Sequence, residues 1–191
     1  LKVFNKNDII VSTDSIEIKQ IAEKYGLVVP FIRPKKLSDD RASSQDVLLH
    51  ALDFVENRRK VKFDNIILLQ PTSPLRKYYH IEEALKLYNN SIDMVASVKL
   101  TKSNPYYVLF EEDTKGYLNK IISSKITRRQ DLPEVWELNG AIYIINRDSL
   151  IKSEISNFKK IKKYIMDEKY SIDIDDILDF KLCEYLLDEN S

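Results

Sequence analysis

The sequence is poor in glycine and cysteine, and this excludes several common kinds of site. Only three of its 191 residues are glycine, at positions 26, 116 and 140. Neither a P-loop nor a glycine-rich dinucleotide-binding loop can be formed within these residues by three glycines so far apart. The single cysteine, Cys183, cannot form an internal disulfide, which favours a cytoplasmic protein.

Long apolar runs and an excess of charge of one sign are also missing. Apolar runs such as Ile66–Leu69 and Ala141–Ile145 are far shorter than the roughly 20 residues of a membrane-spanning helix. Lysine plus arginine and aspartate plus glutamate both number 30, whereas nucleic-acid-binding proteins usually carry a basic excess. We therefore expect neither a membrane nor nucleic acid as a partner. The hydrophobic fraction of 43% suits one domain, predicted to span residues 1–191.

Apolar and amphipathic segments alternate in the first half of the sequence. The predicted strands are residues 8–12, 27–32, 66–69 and 93–98, and the predicted helices are residues 14–25, 43–59 and 80–88. Strands that alternate with helices usually form a parallel sheet with helices on both faces. The prediction is an α/β fold with a mostly parallel sheet flanked by helices.

The middle of the sequence interrupts this alternation. Tyr106–Phe110 and Tyr117–Ile122 predict two strands, and the turn Asp113–Gly116 joins them as a hairpin. We interpret residues from about 103 to 138 as an insertion that forms a hairpin-rich arm. We expect this arm to pair with another subunit, so that the protein is a homodimer.

The loop after the predicted central strand is the first candidate site. In open α/β sheets, ligands bind beyond the carboxyl ends of the strands. Here Gln70 offers an amide, Thr72 and Ser73 offer hydroxyls, and Arg76 offers a guanidinium that can bind a carboxylate or phosphate. The alternative is a connection stiffened by two prolines, whose hydroxyls cap the next helix.

The segment Ser171–Asp176 is the second candidate site. If it is extended, Asp173 and Asp175 point to one face while the two isoleucines between and before them point to the core. Two carboxylates on one face suit Mg²⁺, which takes one or two protein carboxylates together with phosphates and water. The alternative is an acidic strand edge, with Asp176 as the cap of a last helix at residues 177–187.

A third candidate is Arg33, which follows a predicted strand and precedes Pro34. An arginine at a strand end can contact a base edge or a phosphate. The alternative is a solvated arginine before a proline turn.

Several sequence strings occur together in an order typical of one family. They are I-I-V-S-T-D at residues 9–14, R-P at 33–34 with residues 37–44, L-L-Q-P-T-S-P-L-R at 68–76, N-G-A-I-Y-I at 139–144 and S-I-D-I-D at 171–175. In this combination the chain resembles the acylneuraminate cytidylyltransferases, the family of sialic, legionaminic and pseudaminic acid enzymes. The resemblance extends over nearly the whole chain.

This resemblance implies a nucleotide-diphospho-sugar transferase fold and transfer of CMP from CTP to the anomeric hydroxyl of an acidic nine-carbon sugar. Pyrophosphate would leave with the help of Mg²⁺, and the enzyme would act as a homodimer whose arm reaches the neighbouring site. By position, Asp173 and Asp175 would hold the metal as catalytic residues, and Arg33 and Ser44 would contact the cytidine. The residues expected to form the sugar pocket are Gln70, Thr72, Ser73, Arg76 and Asn139.

The chain departs from the family pattern at one conspicuous motif. The family opens with a strand and a phosphate-binding loop of the type L-x-x-I-P-A-R-x-G-S-K, which does not occur in these residues. We therefore expect an N-terminal segment with the main triphosphate-binding loop to be missing from them. Two alternative functions stay open: a 3-deoxy-manno-octulosonate cytidylyltransferase, and an inactive truncated paralogue that serves as a binding or dimerisation module.

Two further departures concern the sugar. Several sialic acid enzymes carry arginine two residues before N-G-A-I-Y-I, where this chain has Glu137, and Tyr107 replaces an expected lysine in the arm. Because both replaced residues are cations that could meet a sugar carboxylate, a legionaminic- or pseudaminic-type acid, or another 3-deoxy acid, competes with N-acetylneuraminate.

Overall fold

The computed structural model describes residues 2–39, 42–126 and 128–188. The chain forms two compact units, each made of three segments. The first unit contains Leu1–Leu68, Lys77–Val95 and Ile142–Lys162, and the second contains Leu69–Arg76, Ala96–Ala141 and Lys163–Ser191. The prediction of a single domain stays a prediction.

Helices and strands alternate through much of the chain, which confirms the α/β class. The α-helices are α1 (Ile16–Lys24), α2 (Ser44–Arg59), α3 (Tyr78–Leu87), α4 (Arg147–Lys152) and α5 (Ile177–Asp188). The strands are β1 (Asn65–Leu68), β2 (Met94–Leu100), β3 (Phe110–Glu112), β4 (Leu118–Lys120), β5 (Trp136–Asn146) and β6 (Ile161–Ile165). Short 3₁₀ turns lie at Lys6–Asp8, Lys35–Leu37, Arg129–Asp131, Ile155–Asn157 and Glu168–Tyr170.

Four strands form one sheet in the order β1-β5-β2-β6. β1 and β5 are antiparallel, from the pair Asn65 and Asn146 to the pair Leu68 and Tyr143. β5 is also antiparallel to β2, since Asn146 N donates to Asp93 O (2.8 Å) and Thr101 N donates to Val135 O (3.0 Å).

β2 and β6 run in the same direction. Asp93 N donates to Lys160 O (2.9 Å), and further along both strands Met166 N donates to Val98 O (2.9 Å). The sheet is therefore mixed, with β5 running opposite to the other three strands. The expectation of a mostly parallel sheet is corrected in this respect: the sequence pattern did not reveal that an antiparallel strand from late in the chain lies between β1 and β2.

Two predicted strands are not strands in the structure. Both segments lie within the described ranges. Residues 9–12 follow the 3₁₀ turn Lys6–Asp8 as irregular chain, and residues 27–32 are irregular chain after α1. Arg33 N donates to Thr13 O (2.8 Å), so the ends of these two segments contact each other. A short apolar segment becomes a strand only when a neighbouring strand satisfies its main-chain groups, and this pairing cannot be read from the segment itself.

Local sequence signals predicted the helix boundaries more reliably than they predicted the strands. Ser43 caps α2 by accepting a hydrogen bond from Asp46 N (3.0 Å), and the predicted face of Leu48, Leu52 and Val55 is buried. α1 was predicted to begin near Asp14, but its cap is Ser15, whose hydroxyl accepts from Ile18 N (3.2 Å). A serine hydroxyl at this position satisfies one of the unpaired N–H groups of the first turn.

The predicted hairpin is confirmed, although its strands are shorter than expected. β3 and β4 pair antiparallel from Phe110 and Lys120 to Glu112 and Leu118. The carboxylate of Asp113 accepts hydrogen bonds from the main-chain N–H groups of Lys115 (2.9 Å) and Tyr117 (3.0 Å). These bonds hold the pKa of Asp113 below its ordinary value, because they stabilise the ionised form.

A bidentate ion pair joins α2 to the start of α4 within the first unit. Arg147 Nε and Nη2 each donate to one carboxylate oxygen of Glu56, both at 2.7 Å. Arg147 and Glu56 are only 17% and 15% exposed. The hydrogen bonds from Arg147 lower the pKa of Glu56, so this pair stabilises the fold while Glu56 is ionised.

Glu56→Gln should therefore lower the free energy of unfolding at pH 7 by about 1.5–3 kcal/mol, the usual range for a hydrogen bond to a charged group. Because the folded pKa of Glu56 is lowered, the contribution is complete above the unfolded pKa of about 4.3 and is lost as the pH falls through the folded value. Urea unfolding at pH 7 and pH 3 measures the difference. Asp148→Asn is the matched control, since this partner of Arg147 is 67% exposed. An equal loss for both variants would contradict the account.

No helix in the described part of the chain is long and apolar enough to cross a membrane.

Candidate active site

The second unit brings together the two most specific sequence motifs. The loop Gln70–Arg76 contacts the acidic segment Ser171–Asp175, because Ile174 N donates to Thr72 O (2.8 Å). The acidic segment is irregular rather than a strand, but this bond fixes it against the loop. Residues 100 positions apart in the chain thus form one local site.

Three polar side chains converge on Gly140, which follows Asn139 in β5. A methyl group placed on Gly140 would lie 2.8 Å from Gln70 Oε1, 3.0 Å from Asp173 Oδ2 and 3.4 Å from Ser73 Oγ. Gly140 also has a φ of +73°, a left-handed conformation that favours glycine. Glycine is required here both by the backbone conformation and by the close approach of the three side chains.

Ser73 lies at the centre of this group and is completely buried. Its hydroxyl is 3.5 Å from Asp173 Oδ1 and 3.5 Å from Asn139 O. Gln70 and Asp173 are half-buried, whereas Thr72 is exposed. Gln70 and Ser73, predicted for the sugar pocket, and Asp173, predicted for the metal, therefore lie in one cluster.

One nitrogen of the Arg76 guanidinium contacts the main chain of the second unit. Its Nη1 donates to the main-chain oxygens of Gln70 (2.7 Å), Ser73 (2.9 Å) and Ala141 (3.2 Å). Burial lowers the pKa of Arg76, since desolvation disfavours the charged form. This nitrogen of the guanidinium holds the loop against β5, and the role of Arg76 as a sugar contact stays a prediction.

Arg76→Met should lower the free energy of unfolding by about 1–3 kcal/mol, because it keeps the aliphatic stem and leaves buried carbonyl groups without their donor. Arg58→Met, at an exposed position of α2, is the matched control and should change it by less than about 0.5 kcal/mol. Urea unfolding measures both. If Arg76→Met were as harmless as the control, Arg76 would not hold the loop.

Asn139, also predicted to line the sugar pocket, is 3% exposed. Its side-chain amide is directed to the hydroxyls of Ser97 and Ser171 inside the second unit. The role of Asn139 as a sugar contact stays a prediction.

The two metal candidates differ in their surroundings. Asp173 is half-buried beside Ser73, while Asp175 is exposed. Asp176 caps α5, since its Oδ1 accepts from Leu178 N (2.7 Å) and Asp179 N (3.0 Å). The helix-cap alternative is therefore correct for Asp176 and leaves the other two carboxylates available.

The described residues contain no cluster of many metal ligands. Among the described residues no group of three or more His, Cys, Asp or Glu side chains could hold a metal ion. Mg²⁺ commonly binds one or two carboxylates and completes its shell with phosphates and water. The assignment of Asp173 and Asp175 to magnesium stays a prediction.

The predicted nucleotide contacts belong to the first unit. Arg33 donates through Nε to Ser38 Oγ (3.0 Å) and through Nη2 to Asp14 Oδ1 (3.3 Å). Ser44 is exposed in the first turn of α2. Residues 40 and 41 of the nearby family string lie outside the described residues.

Glu137, which replaces an expected cation, is itself paired. Lys99 Nζ lies 3.2 Å from Glu137 Oε1, and Thr101 Oγ1 donates to Glu137 Oε2 (2.9 Å). Tyr107 lies in the chain before the hairpin, with Lys120 Nζ 6.0 Å from its ring centre.

Sequence reasoning assigned no role to Ser97, Gly140 or Ser171. Ser97 had a usable signal, because it is a polar residue within the apolar run Met94–Val98 and is completely buried. A buried hydroxyl needs a hydrogen-bond partner, and this requirement points to a second polar residue nearby.

Comparisons with known proteins agree with the family indicated by these motifs. A model of the cytidylyltransferase family matches residues 1–187. An N-acylneuraminate cytidylyltransferase of Streptococcus agalactiae serotype III is 35% identical over 180 residues, which are 93% of this chain and 42% of that protein. The chain thus spans less than half of the streptococcal protein.

A relative of more similar length gives the same result. The CMP-N,N'-diacetyllegionaminic acid synthase of Campylobacter jejuni is 35% identical over 184 residues, 94% of this chain and 76% of that protein. A solved CMP:2-keto-3-deoxy-manno-octonic acid synthetase in complex with CTP has a TM-score of 0.63 at 16% identity, covering 95% of this chain and 81% of that one. This likeness supports the fold alone. The chain belongs to the cytidylyltransferase family, as its motifs indicated.

Proposed function

We propose that the protein transfers CMP from CTP to a nonulosonic acid. The anomeric oxygen of the sugar attacks the α-phosphorus, a bond forms between them, and the bond from the α-phosphorus to the bridging oxygen breaks. Pyrophosphate leaves with that oxygen, and the hydroxyl proton passes to solvent or to a base. The observation that carries the proposal is the convergence of Gln70, Ser73 and Asp173 on Gly140 in a member of the cytidylyltransferase family.

The candidate site residues comprise proposed sugar contacts and proposed cytidine contacts. Gln70 and Thr72 offer an amide and an exposed hydroxyl, which suit the hydroxyl and acyl-amide groups of an acidic sugar. Arg33 and Ser44, in the first unit, offer donors for the cytidine. Phosphoryl transfer depends mainly on positioning and on stabilisation of charge.

Magnesium is the proposed cofactor, held by Asp173 and Asp175. When bound, it offsets the negative charge that builds up on the phosphates as pyrophosphate leaves. The half-buried Asp173, fixed beside Ser73, supplies a carboxylate of defined position, and the exposed Asp175 supplies one that can adapt to the nucleotide.

The names of the relatives include several acids. The Glu137 carboxylate is held by Lys99 and Thr101, but every one of these acids carries a carboxylate, so Glu137 does not separate them. We propose a legionaminic-type acid because the chain is 35% identical to a CMP-N,N'-diacetyllegionaminic acid synthase and spans 76% of that protein. Within the proposal the acceptor is a nine-carbon 3-deoxy acid.

The test is acid-dependent release of pyrophosphate by the complete gene product with CTP and Mg²⁺. The acids are N-acetylneuraminic, N,N'-diacetyllegionaminic, pseudaminic and 3-deoxy-manno-octulosonic acid, each compared with a reaction without acid. We expect release with at least one nine-carbon acid, and the highest kcat/KM with the legionaminic type. Release with none of them, or with the eight-carbon acid alone, would overturn the proposal.

We also place the protein in the cytoplasm, where CTP is made, and propose a homodimer. The hairpin supports the dimer, because Phe110 in β3, Leu118 in β4 and Tyr117 just before β4 expose large apolar side chains. Apolar patches of this kind commonly mark protein–protein contacts. Sedimentation at micromolar concentration should give twice the mass of the chain, and a strictly monomeric mass would contradict the dimer.

A further inference from the structure

We propose that a buried serine–asparagine–serine cluster, formed by Ser97, Asn139 and Ser171, positions the Asp173 carboxylate for its metal. Asn139 is then a positioning residue and not a contact of the sugar. The inference rests on the proposed function in one respect, the assignment of Asp173 to the metal.

The cluster joins three separate segments of the second unit. Ser97 Oγ in β2 donates to Asn139 Oδ1 in β5 (2.5 Å), and Asn139 Nδ2 donates to Ser171 Oγ in the acidic segment (2.8 Å). The exposed fractions are 0% for Ser97, 3% for Asn139 and 2% for Ser171. Water therefore does not compete for these bonds.

The directions of the hydrogen bonds that Asn139 makes to Ser97 and Ser171 are fixed. Asn139 Oδ1 also accepts from Ala141 N (3.2 Å), and a reversed amide would set two N–H groups against each other. Ser171 Oγ lies 2.9 Å from Asp167 O, which can only accept, so the serine proton is used there. Ser171 must then accept from Asn139, as the geometry requires.

These bonds occupy most of the hydrogen-bond donors and acceptors of the Asn139 side chain. Both acceptor positions of Oδ1 and one of the two Nδ2 hydrogens are engaged inside the unit. With 3% of its surface exposed, the side chain is poorly placed to bind a sugar. Its contribution is to fix the segments that it joins.

The joined segments carry the reactive cluster. Asn139 immediately precedes Gly140, the residue against which Asp173 Oδ2 packs, and Ser171 lies two positions before Asp173. The same amide therefore sets the position of β5 at Gly140 and the position of the acidic segment. If it is lost, Asp173 keeps its chemical identity but not its place beside Ser73 and Gly140. Groups that orient a metal ligand typically change metal affinity about 10- to 100-fold when they are removed.

Ser171→Ala and Ser97→Ala test the inference in the complete gene product. Ser149→Ala is the matched control, because its hydroxyl donates to Asp93 Oδ1 (2.8 Å) in the first unit. The main readout is the dissociation constant of Mn²⁺, measured by electron paramagnetic resonance in the presence of CTP, which needs no turnover. The second readout is KM for the sugar at saturating metal.

We expect Ser171→Ala to raise the Mn²⁺ dissociation constant about 10-fold, the lower end of the range for groups that hydrogen-bond a metal ligand directly, and Ser97→Ala to raise it less, with KM for the sugar almost unchanged. Ser149→Ala should leave the Mn²⁺ dissociation constant within twofold of the wild type, even if it lowers Tm as much as the other two substitutions do.

Unchanged Mn²⁺ binding in both folded variants, or a raised KM for the sugar without loss of metal affinity, would overturn the inference. So would a wild-type protein that binds no Mn²⁺. If Ser171→Ala fails to fold, the result with Ser97→Ala decides. Weaker Mn²⁺ binding in an enzyme that makes no CMP-sugar would support the inference while the proposed function failed.

Discussion

Asp175→Asn should lower kcat by about 10²–10³-fold. The substitution keeps the size and shape of the side chain and removes the charge that the metal needs. Loss of several kcal/mol of charge stabilisation in the transition state corresponds to this range, at about 1.4 kcal/mol for each factor of ten. Because Asp175 is exposed and its carboxylate is not part of the core, the free energy of unfolding should change little. Steady-state pyrophosphate release at saturating CTP and Mg²⁺ measures the effect.

Asp176→Asn is the matched control for this prediction. It removes one charge from the adjacent position, and asparagine caps helices as well as aspartate does, so α5 should keep its cap. We expect kcat within about threefold of the wild type. If the two variants lost the same activity, the general negative charge of the segment would matter and Asp175 would have no special role.

Gly140→Ala should abolish most activity and also destabilise the protein. A side chain at a φ of +73° costs about 1–3 kcal/mol. The added methyl would also lie 2.8 Å from Gln70 Oε1 and 3.0 Å from Asp173 Oδ2, so both side chains must move. A displacement of about 1 Å can cost about 100-fold in rate; the shifts required here are smaller, so kcat/KM should fall by about 10- to 100-fold. Kinetics at a temperature where the variant is folded measure it.

Gly116→Ala is the control that separates the effect of backbone strain from the effect of crowding by neighbouring side chains. Gly116 has a similar φ of +83° in the hairpin turn, but its added methyl would meet only Glu112 Oε1, at 3.6 Å. Urea unfolding should show comparable destabilisation of the two variants, whereas only Gly140→Ala should lose activity at the chemical step. Normal kinetics in folded Gly140→Ala would show that Gln70 and Asp173 do not act from this cluster.

Features that depend on neighbours in the chain could be predicted from the sequence. The buried face of α2 at Leu48, Leu52 and Val55 follows from helical periodicity. The Asp113–Gly116 turn and the capping aspartate Asp176 follow from the preferences of single residues at turns and helix starts. Each of these signals is complete within a few residues, so no knowledge of the rest of the fold is needed.

Features that depend on distant partners could not be predicted in the same way. The position of β5 between β1 and β2 decides which way the sheet strands run, and no local pattern encodes it. Residues 8–12 have the composition of a strand, but strand formation requires a partner that satisfies the main chain. The sequence therefore indicated the fold class correctly and the sheet arrangement only in part.

The same distinction holds in the site. The motif strings identified Gln70, Ser73 and Asp173, and the structure brings these three together around Gly140. Arg76 was predicted from the guanidinium it offers, and Asn139 from its place in a family string. Donors and acceptors of both side chains meet groups of their own unit, because buried carbonyls and hydroxyls must be satisfied, and their roles as sugar contacts stay predictions. The residue type alone does not tell a ligand contact from an internal one.

The central claim is that this cluster belongs to an enzyme that makes a CMP-sugar. Phosphorus NMR of the complete gene product with CTP, Mg²⁺ and N,N'-diacetyllegionaminic acid tests it most directly, since the phosphorus atoms of every product are seen at once. The account predicts a new phosphodiester signal and pyrophosphate in equal amounts, both absent when the acid is omitted. Intact CTP throughout, or CDP and inorganic phosphate formed without regard to the acid, would contradict it.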